Sequence, residues 1–246
     1  MTKAELLAAE IKTYCEKHAN PKLAGKYARY FKEGYAAWGL LDKENPIWHG
    51  QQDEWLDKYR AMGMRGFLRL GEILFRSGKY EEGALAIRFL AGFGGELDES
   101  SLAGLARWFA AGIGNWAHVD TLCALVLGPA VAGGGIPFRA LAPWRESKLR
   151  YQRRAVPACL LGLLKKGHPV PPLLDFLRPM MFDSERVVHQ GLGWFLREAC
   201  KKQPRPVEAF LLEHKDASAR LIFQYATERM TAAARKRFQR AKASTL

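Results

Sequence analysis

The sequence predicts an all-α chain built of antiparallel helical pairs. Three observations carry that expectation. Apolar residues recur three and four apart along almost the whole length. Glycine and proline clusters interrupt the periodic stretches at short intervals. No stretch shows the sustained alternation with hairpin turns that marks strands.

The elements follow in order. Residues 3–18 carry Leu6, Leu7, Ile11, Tyr14 and Cys15 at helical spacing, with Lys and Glu on the other side. The same period predicts helices over 22–37, 51–61, 67–77 and 81–93, with joints at Ser77-Gly78 and at 92–95. It continues over 101–111, 119–131 and 149–166, where Pro157 is expected to kink or split the helix. The remaining helices are expected at 170–179, 185–202, 206–213, 218–228 and 231–242, with breakers at 133–135, 167–169 and 204–206. One helix pair with its joints occupies about 40 residues, the HEAT-like spacing. The repeats are not self-similar, and periodicity alone fits a globular helical bundle as well as a stack. Element number and length suggest stacked helical hairpins at that spacing. The expectation is one domain over 1–246 that ends in a basic helix or tail at 231–246. Such a stack offers a long concave face that can follow an extended ligand.

Charge narrows the partner. Lys and Arg number 38 against 25 Asp and Glu, a formal +13. That balance excludes an acidic solvating chain and makes a polyanion the first expected partner. Hydrophobic residues at 48% suffice for a core. Cys15, Cys123, Cys159 and Cys200 lie far apart without metal spacing, so a reduced cytosolic chain is expected rather than a disulfide scaffold. The first residues lack the apolar core and cleavage site of a signal peptide. The longest apolar candidate, 122–132, is too short to span a bilayer and contains Pro129, so no membrane partner is expected.

The cations cluster. Arg139, Arg145, Lys148, Arg150, Arg153, Arg154, Lys165 and Lys166 face a single acid, Glu146, with Phe138, Trp144 and Tyr151 between them. Helix-end cations spaced along one face would meet successive backbone phosphates, the salt-sensitive and sequence-independent part of nucleic-acid binding. No acid follows Glu228, and that tail reads as a solvated face.

Two short clusters could carry chemistry. In Asn115-Trp116-Ala117-His118-Val119-Asp120, Trp116 and Asp120 share a helix face, with Gly114 or Asn115 at the helix start. In Gly193-Trp194-Phe195-Leu196-Arg197, Trp194 and Arg197 are again co-facial. Plainer roles fit the same residues. A tryptophan in a helical repeat is usually core, Asp120 can serve its helix N-terminus, and Arg197 can pair with Glu198 or Glu185.

Three motifs occur in a telling order: Asn115-Trp116-x-x-Val119-Asp120, Gln152-Arg153-Arg154-Ala155 and Gly193-Trp194-x-Leu196-Arg197-Glu198. Together they resemble the DNA alkylation repair family, the HEAT-like alkylpurine DNA glycosylases. Asn20-Pro21-Lys22, Ala28-Arg29-Tyr30-Phe31-Lys32 and Gly39 resemble that family's opening helices, and the similarity runs over about 5–230. The resemblance implies a curved solenoid of HEAT-like antiparallel helical repeats, an alpha-alpha superhelix, and hydrolysis of the glycosidic bond of N3- or N7-alkylated purines in double-stranded DNA, by a monomer without metal or other cofactor. It implies that Trp116 and Trp194 wall the lesion cleft and that Asp120 is the catalytic carboxylate. It further implies that Arg154 (or its neighbour Arg153) and Arg197 hold the DNA backbone, with Lys148 and Arg150 assisting, and that Tyr30 and His118 flank the cleft. The implied setting is the cytoplasm of a bacterial-type cell, at the nucleoid. The chain departs from the family pattern at His118, at Leu41 and over 41–55, which bears on substrate range more than on fold.

The chemistry suits these residues. A cationic alkylpurine departs as a neutral base, so no strong general acid is needed. The developing positive charge on the sugar is what must be stabilised, and a carboxylate can do this while orienting water. No base-reading set of Asn, Gln or Glu stands near the cleft motifs, so the lesion is expected to stay in or near the duplex rather than enter a pocket. The six scattered histidines offer no ligand cluster.

Overall fold

The computed structural model describes residues 1–40 and 46–240; Leu41 and part of the 41–55 departure lie outside them. The described residues form helices and turns and no strand. They divide into two compact units, Met1–Val126 and Leu127–Leu246.

In the first unit, α1 (Lys3–Lys17) starts at a capping box, Thr2 accepting from the Glu5 amide while Glu5 accepts from the Thr2 amide. Helices α2 (Pro21–Ala28), α3 (Pro46–Tyr59), α4 (Gly63–Arg76), α5 (Tyr80–Ala91), α6 (Ser101–Ala111) and α7 (Trp116–Leu122) follow. α4 packs on its hairpin mate α5, on α1 and on α6, and α5 packs on α7. α4 and α5 thus touch each other and helices of neighbouring pairs, as in stacked hairpins. Trp108, fully buried on α6, donates its indole N–H to the Leu68 carbonyl of α4 at 2.8 Å.

α2 corrects the reading of one helix over 22–37. It starts as expected, with Asn20 capping the Leu23 amide at 3.1 Å and Pro21 in the first position. It ends at Ala28, and the chain turns through Gly34 at φ +105° and Gly39 at φ +84°. The reason is tertiary. Residues 36–40 form a strap whose amides at Trp38, Gly39 and Leu40 all donate to the buried carboxylate of Glu81, at 2.8, 2.7 and 3.1 Å. Asn20 and Tyr80 amides bond the strap carbonyls of Trp38 and Ala36. A Cβ at position 39 would lie 2.0 Å from the Asn20 carbonyl oxygen, so the strap needs glycine there for space as well as for φ.

A π-helical turn, Cys123–Leu127, and α8 (Gly128–Ala132) follow α7 in the chain. The wide turn stands where Pro129 lacks an N–H and would crowd the carbonyl four residues back, so the proline is accommodated inside the helix.

In the second unit, a 3-10 segment Phe138–Glu146 leads to α9 (Arg150–Lys165), α10 (Val170–Leu177), α11 (Arg186–Lys202), α12 (Pro204–His214), α13 (Arg220–Ala226) and α14 (Ala232–Lys236). α9 runs through Pro157 without splitting. α11 is central, packed on α9, α12 and α13, and α10 packs on α12. Gly193 sets the α11–α13 approach, since a Cβ there would meet the Tyr225 Cβ at 2.4 Å and the Ile222 carbonyl oxygen at 2.8 Å. Within the described residues the basic C-terminal stretch is helical over Ala232–Lys236 and mostly exposed, with a few anchors. Phe238 is buried, Arg237 bonds Glu208 at 2.9 Å, and Arg240 bonds the Ser218 carbonyl at 2.9 Å. No helix of the described residues is long and apolar enough to cross a membrane.

Candidate active site and its aromatic cavity

α7 begins at Trp116, three residues before the start expected from the period, with Asn115 rather than Gly114 preceding it. Asn115 is the N-cap, its Oδ1 accepting from the His118 amide at 2.8 Å. The cap places Trp116 at the first helical position, 44% exposed, and Asp120 one turn further on, half-buried. The Trp116 indole N–H donates to the Tyr30 carbonyl at 3.4 Å, and its ring stacks on Phe31 at 5.8 Å, which in turn stacks on Tyr35 at 4.6 Å. Tyr30 therefore stands beside Trp116. These rings wall a cavity of about 530 Å³ in the first unit, which also takes in Tyr27, Tyr80, Trp48, His49 and Gln52.

His118 does not flank that cavity; it faces the interior. The Asn115 side-chain amide donates to its Nδ1 at 2.9 Å, and its Nε2 donates to the Tyr80 carbonyl at 2.9 Å, which fixes the tautomer. Its ring stacks on Tyr80 at 4.5 Å. Burial holds its pKa at about 4, against 6.5 for an exposed imidazole. The unfolded chain takes up a proton below about pH 6.5, and the folded chain does so only near 4. The stability held by neutral His118 is therefore complete above the unfolded value and is lost as pH falls through that window. The loss is on the order of 3 kcal/mol. Denaturant melts from pH 7 to pH 4.5 are expected to show this slope, and His118→Gln is expected to flatten it.

In the second unit several of the candidate phosphate-binding cations have protein partners. Arg153 is not a surface residue. Its guanidinium grips Asp183 through two bonds of 2.6 and 3.2 Å and donates to the Ser147 carbonyl at 2.6 Å. Arg154, 6% exposed, donates to the Val187 carbonyl at 2.9 Å and lies against Gly191 of α11. Arg145 is likewise spent on the Phe176 carbonyl at 2.7 Å. Arg197 lies between two carboxylates, bonding Glu198 at 2.9 Å and Glu228 at 2.5 Å. The exposed cations of the 139–166 cluster are Arg139, Lys148, Arg150, Lys165 and Lys166, and Arg150 stands 3.9 Å from Glu185. Trp194, half-buried on α11, shares a face with Arg197 as its spacing predicts.

The Arg153–Asp183 pair is structural, and its expected signature differs from that of a DNA contact. Arg153→Ala leaves a buried carboxylate uncompensated, at about 3–5 kcal/mol. Urea melts are expected to show that loss, while filter binding shows duplex affinity unchanged in the folded variant.

The family model described as DNA alkylation repair enzyme matches residues 11–230. The chain belongs to the DNA alkylation repair enzyme family. No curated protein matches it. Among solved structures, a chain from Enterococcus faecalis described as a predicted DNA alkylation repair enzyme is similar, with a TM-score of 0.72 at 18% identity. The alignment covers 87% of this chain and 98% of that one. That likeness is one of fold, and it agrees with the helical-repeat class expected from the sequence. The family places this member in DNA repair. Sequence reading missed the residues that complete its aromatic cavity. Trp48, His49 and Gln52 come from the stretch that departs from the family pattern, and that departure was the available signal.

Proposed function

We propose that this family member is a DNA glycosylase that hydrolyses the N-glycosidic bond of cationic N3- or N7-alkylated purines in duplex DNA. The observation that carries the reading is the start of α7. Its side-chain cap presents a large exposed indole at the first position, with a carboxylate on the same face one turn away. A capped helix start fixes both side chains on a rigid element.

In the proposed reaction Asp120 stabilises the positive charge that develops on the sugar and orients a water toward C1′. The C1′–N bond breaks and its electron pair leaves with the base, which departs neutral because it began cationic. Water supplies the new C1′–O bond and gives up a proton. The face of Trp116 favours the cation at about 0.5–2 kcal/mol. Trp194 and Arg197 are proposed as contacts to DNA from the second unit, with Lys148 and Arg150 as exposed partners for phosphate. Arg154, being buried, is proposed to position α11 rather than to grip phosphate. The expected monomer and the single-domain organisation belong to the same proposal.

Base release from methylated genomic DNA, read by chromatography, tests it. Free 3-methyladenine or 7-methylguanine is the expected product. Tight, salt-dependent duplex binding without any freed base would overturn the catalytic reading and leave a DNA-binding repair protein.

A further inference from the structure

In the first unit, α4 and α6 carry a row of arginines that takes no part in the chemistry proposed above. Arg65, Arg69, Glu72 and Arg76 stand three and four apart and so share one face of α4. Arg107 joins them from α6. Gly71 lets the two helices approach, since a Cβ there would lie 2.2 Å from the Trp108 ring, and that approach brings Arg107 within reach of Glu72.

One carboxylate organises the row. Glu72 is buried, and it accepts from Arg76 at 2.8 Å through one oxygen and from Arg107 at 3.1 Å through the other, with Arg69 3.9 Å away. Three guanidiniums around one carboxylate leave a surplus of positive charge, and all three side chains are more than half exposed. Glu72 is the only acid on either helix. Glu5 of α1 is the other carboxylate in reach of Arg69. An ion pair uses only part of a guanidinium fork, so the outer N–H groups can serve a second acceptor. Side chains already held in place lose less rotamer entropy when a ligand binds.

The class of partner follows from shape and composition. From Arg65 to Arg76 the row runs about 16 Å along the α4 axis, long enough to meet successive phosphates of one strand. Among the described residues no large exposed apolar side chain lies on α4 or α6, so the patch lacks the anchors of a protein interface. The row also belongs to a different layer from the proposed site. α4 packs on α1 and α6, whereas α7, which carries Trp116 and Asp120, packs on α5. We propose that the α4–α6 row is a second duplex-binding surface, which grips the phosphate backbone without reading sequence and lets one chain hold two DNA segments. The inference goes beyond the glycosylase reading and does not depend on Asp120.

A bridging assay on the full chain tests it. Unmethylated duplex is fixed to beads, the protein is added, and capture of a second, labelled duplex is read. Capture is expected at low salt, with the underlying affinity falling about 40-fold or more between about 50 and 200 mM salt if about three phosphates are met. Arg65→Glu with Arg69→Glu is expected to lower capture about tenfold or more, while binding of a single duplex at limiting DNA stays within about twofold. Glu72 keeps its two short bonds in that variant, so its Tm should match the parent's. Capture should follow charge, with the paired Arg→Lys variant near the parent and the paired Arg→Gln variant between Lys and Glu. No capture by the parent at low salt overturns the inference, as does capture that ignores the charge at 65 and 69. Capture of a polyglutamate peptide in place of duplex overturns the DNA assignment and makes the row a dock for an acidic protein. Bridging without base release from methylated DNA sinks the glycosylase and keeps this surface, and base release without bridging does the reverse.

Discussion

Asp120→Asn is expected to slow base release from methylated DNA about a thousandfold while duplex affinity stays within a few-fold of the parent. The substitution keeps the shape of the side chain and removes its charge. A carboxylate about 4 Å from a developing positive charge, at an effective dielectric of about 20, is worth about 4 kcal/mol. That is roughly three decades of rate. Asp120 sits half-buried on a helix whose start is fixed by Asn115. Single-turnover release of 7-methylguanine, with filter binding of the same duplex beside it, separates the two effects. Release at the parent rate would remove the carboxylate from the reaction.

Much of the fold is legible in the sequence because its helices are fixed locally. The helices expected at 3–18, 101–111 and 185–202 stand within a residue or two of α1, α6 and α11, where amphipathic period and end signals agree. For the start of α7 the sequence offered Gly114 or Asn115, and Asn115 is the cap. What was not legible is what one distant residue decides. Leu23, Tyr27, Phe31 and Tyr35 have helical spacing, yet the last two serve as cavity walls because Glu81, more than forty residues on, binds the following strap. The partners of the cations were hidden in the same way. Counting cations cannot see Asp183 across from Arg153 or Glu228 across from Arg197, and both pairings exist only in the folded chain. Adjacency did allow the Arg197–Glu198 contact to be anticipated. Gln52 reads as an ordinary polar residue of a helical face until α3 is packed against the aromatic rings.

Glu81→Ala is expected to cost about 3–5 kcal/mol and to dismantle the aromatic cavity. Glu81 is fully buried in the first turn of α5, where the helix N-terminus favours a negative charge. Its two oxygens accept the amides of Trp38, Gly39 and Leu40. Alanine leaves three donors without a partner, each costing about 1–3 kcal/mol when kept from water. The strap relieves that cost by opening to solvent, so the total stays below the sum. Opening carries Tyr35 and Phe31 away from Trp116, since both lead directly into the strap. Glu81→Gln isolates the cause. One amide oxygen can still accept from Gly39 and Leu40, while the –NH₂ that replaces the second oxygen cannot accept from Trp38, so about 1–2 kcal/mol is expected. Glu82, which accepts the Trp38 indole N–H at 2.9 Å, should hold part of the strap in that variant. Urea melts rank the two variants, and limited trypsin cleavage at Arg29 or Lys32 reports the strap directly. Equal stability in all three proteins would mean that the strap is held by its packed rings and that the buried carboxylate is incidental to the cavity.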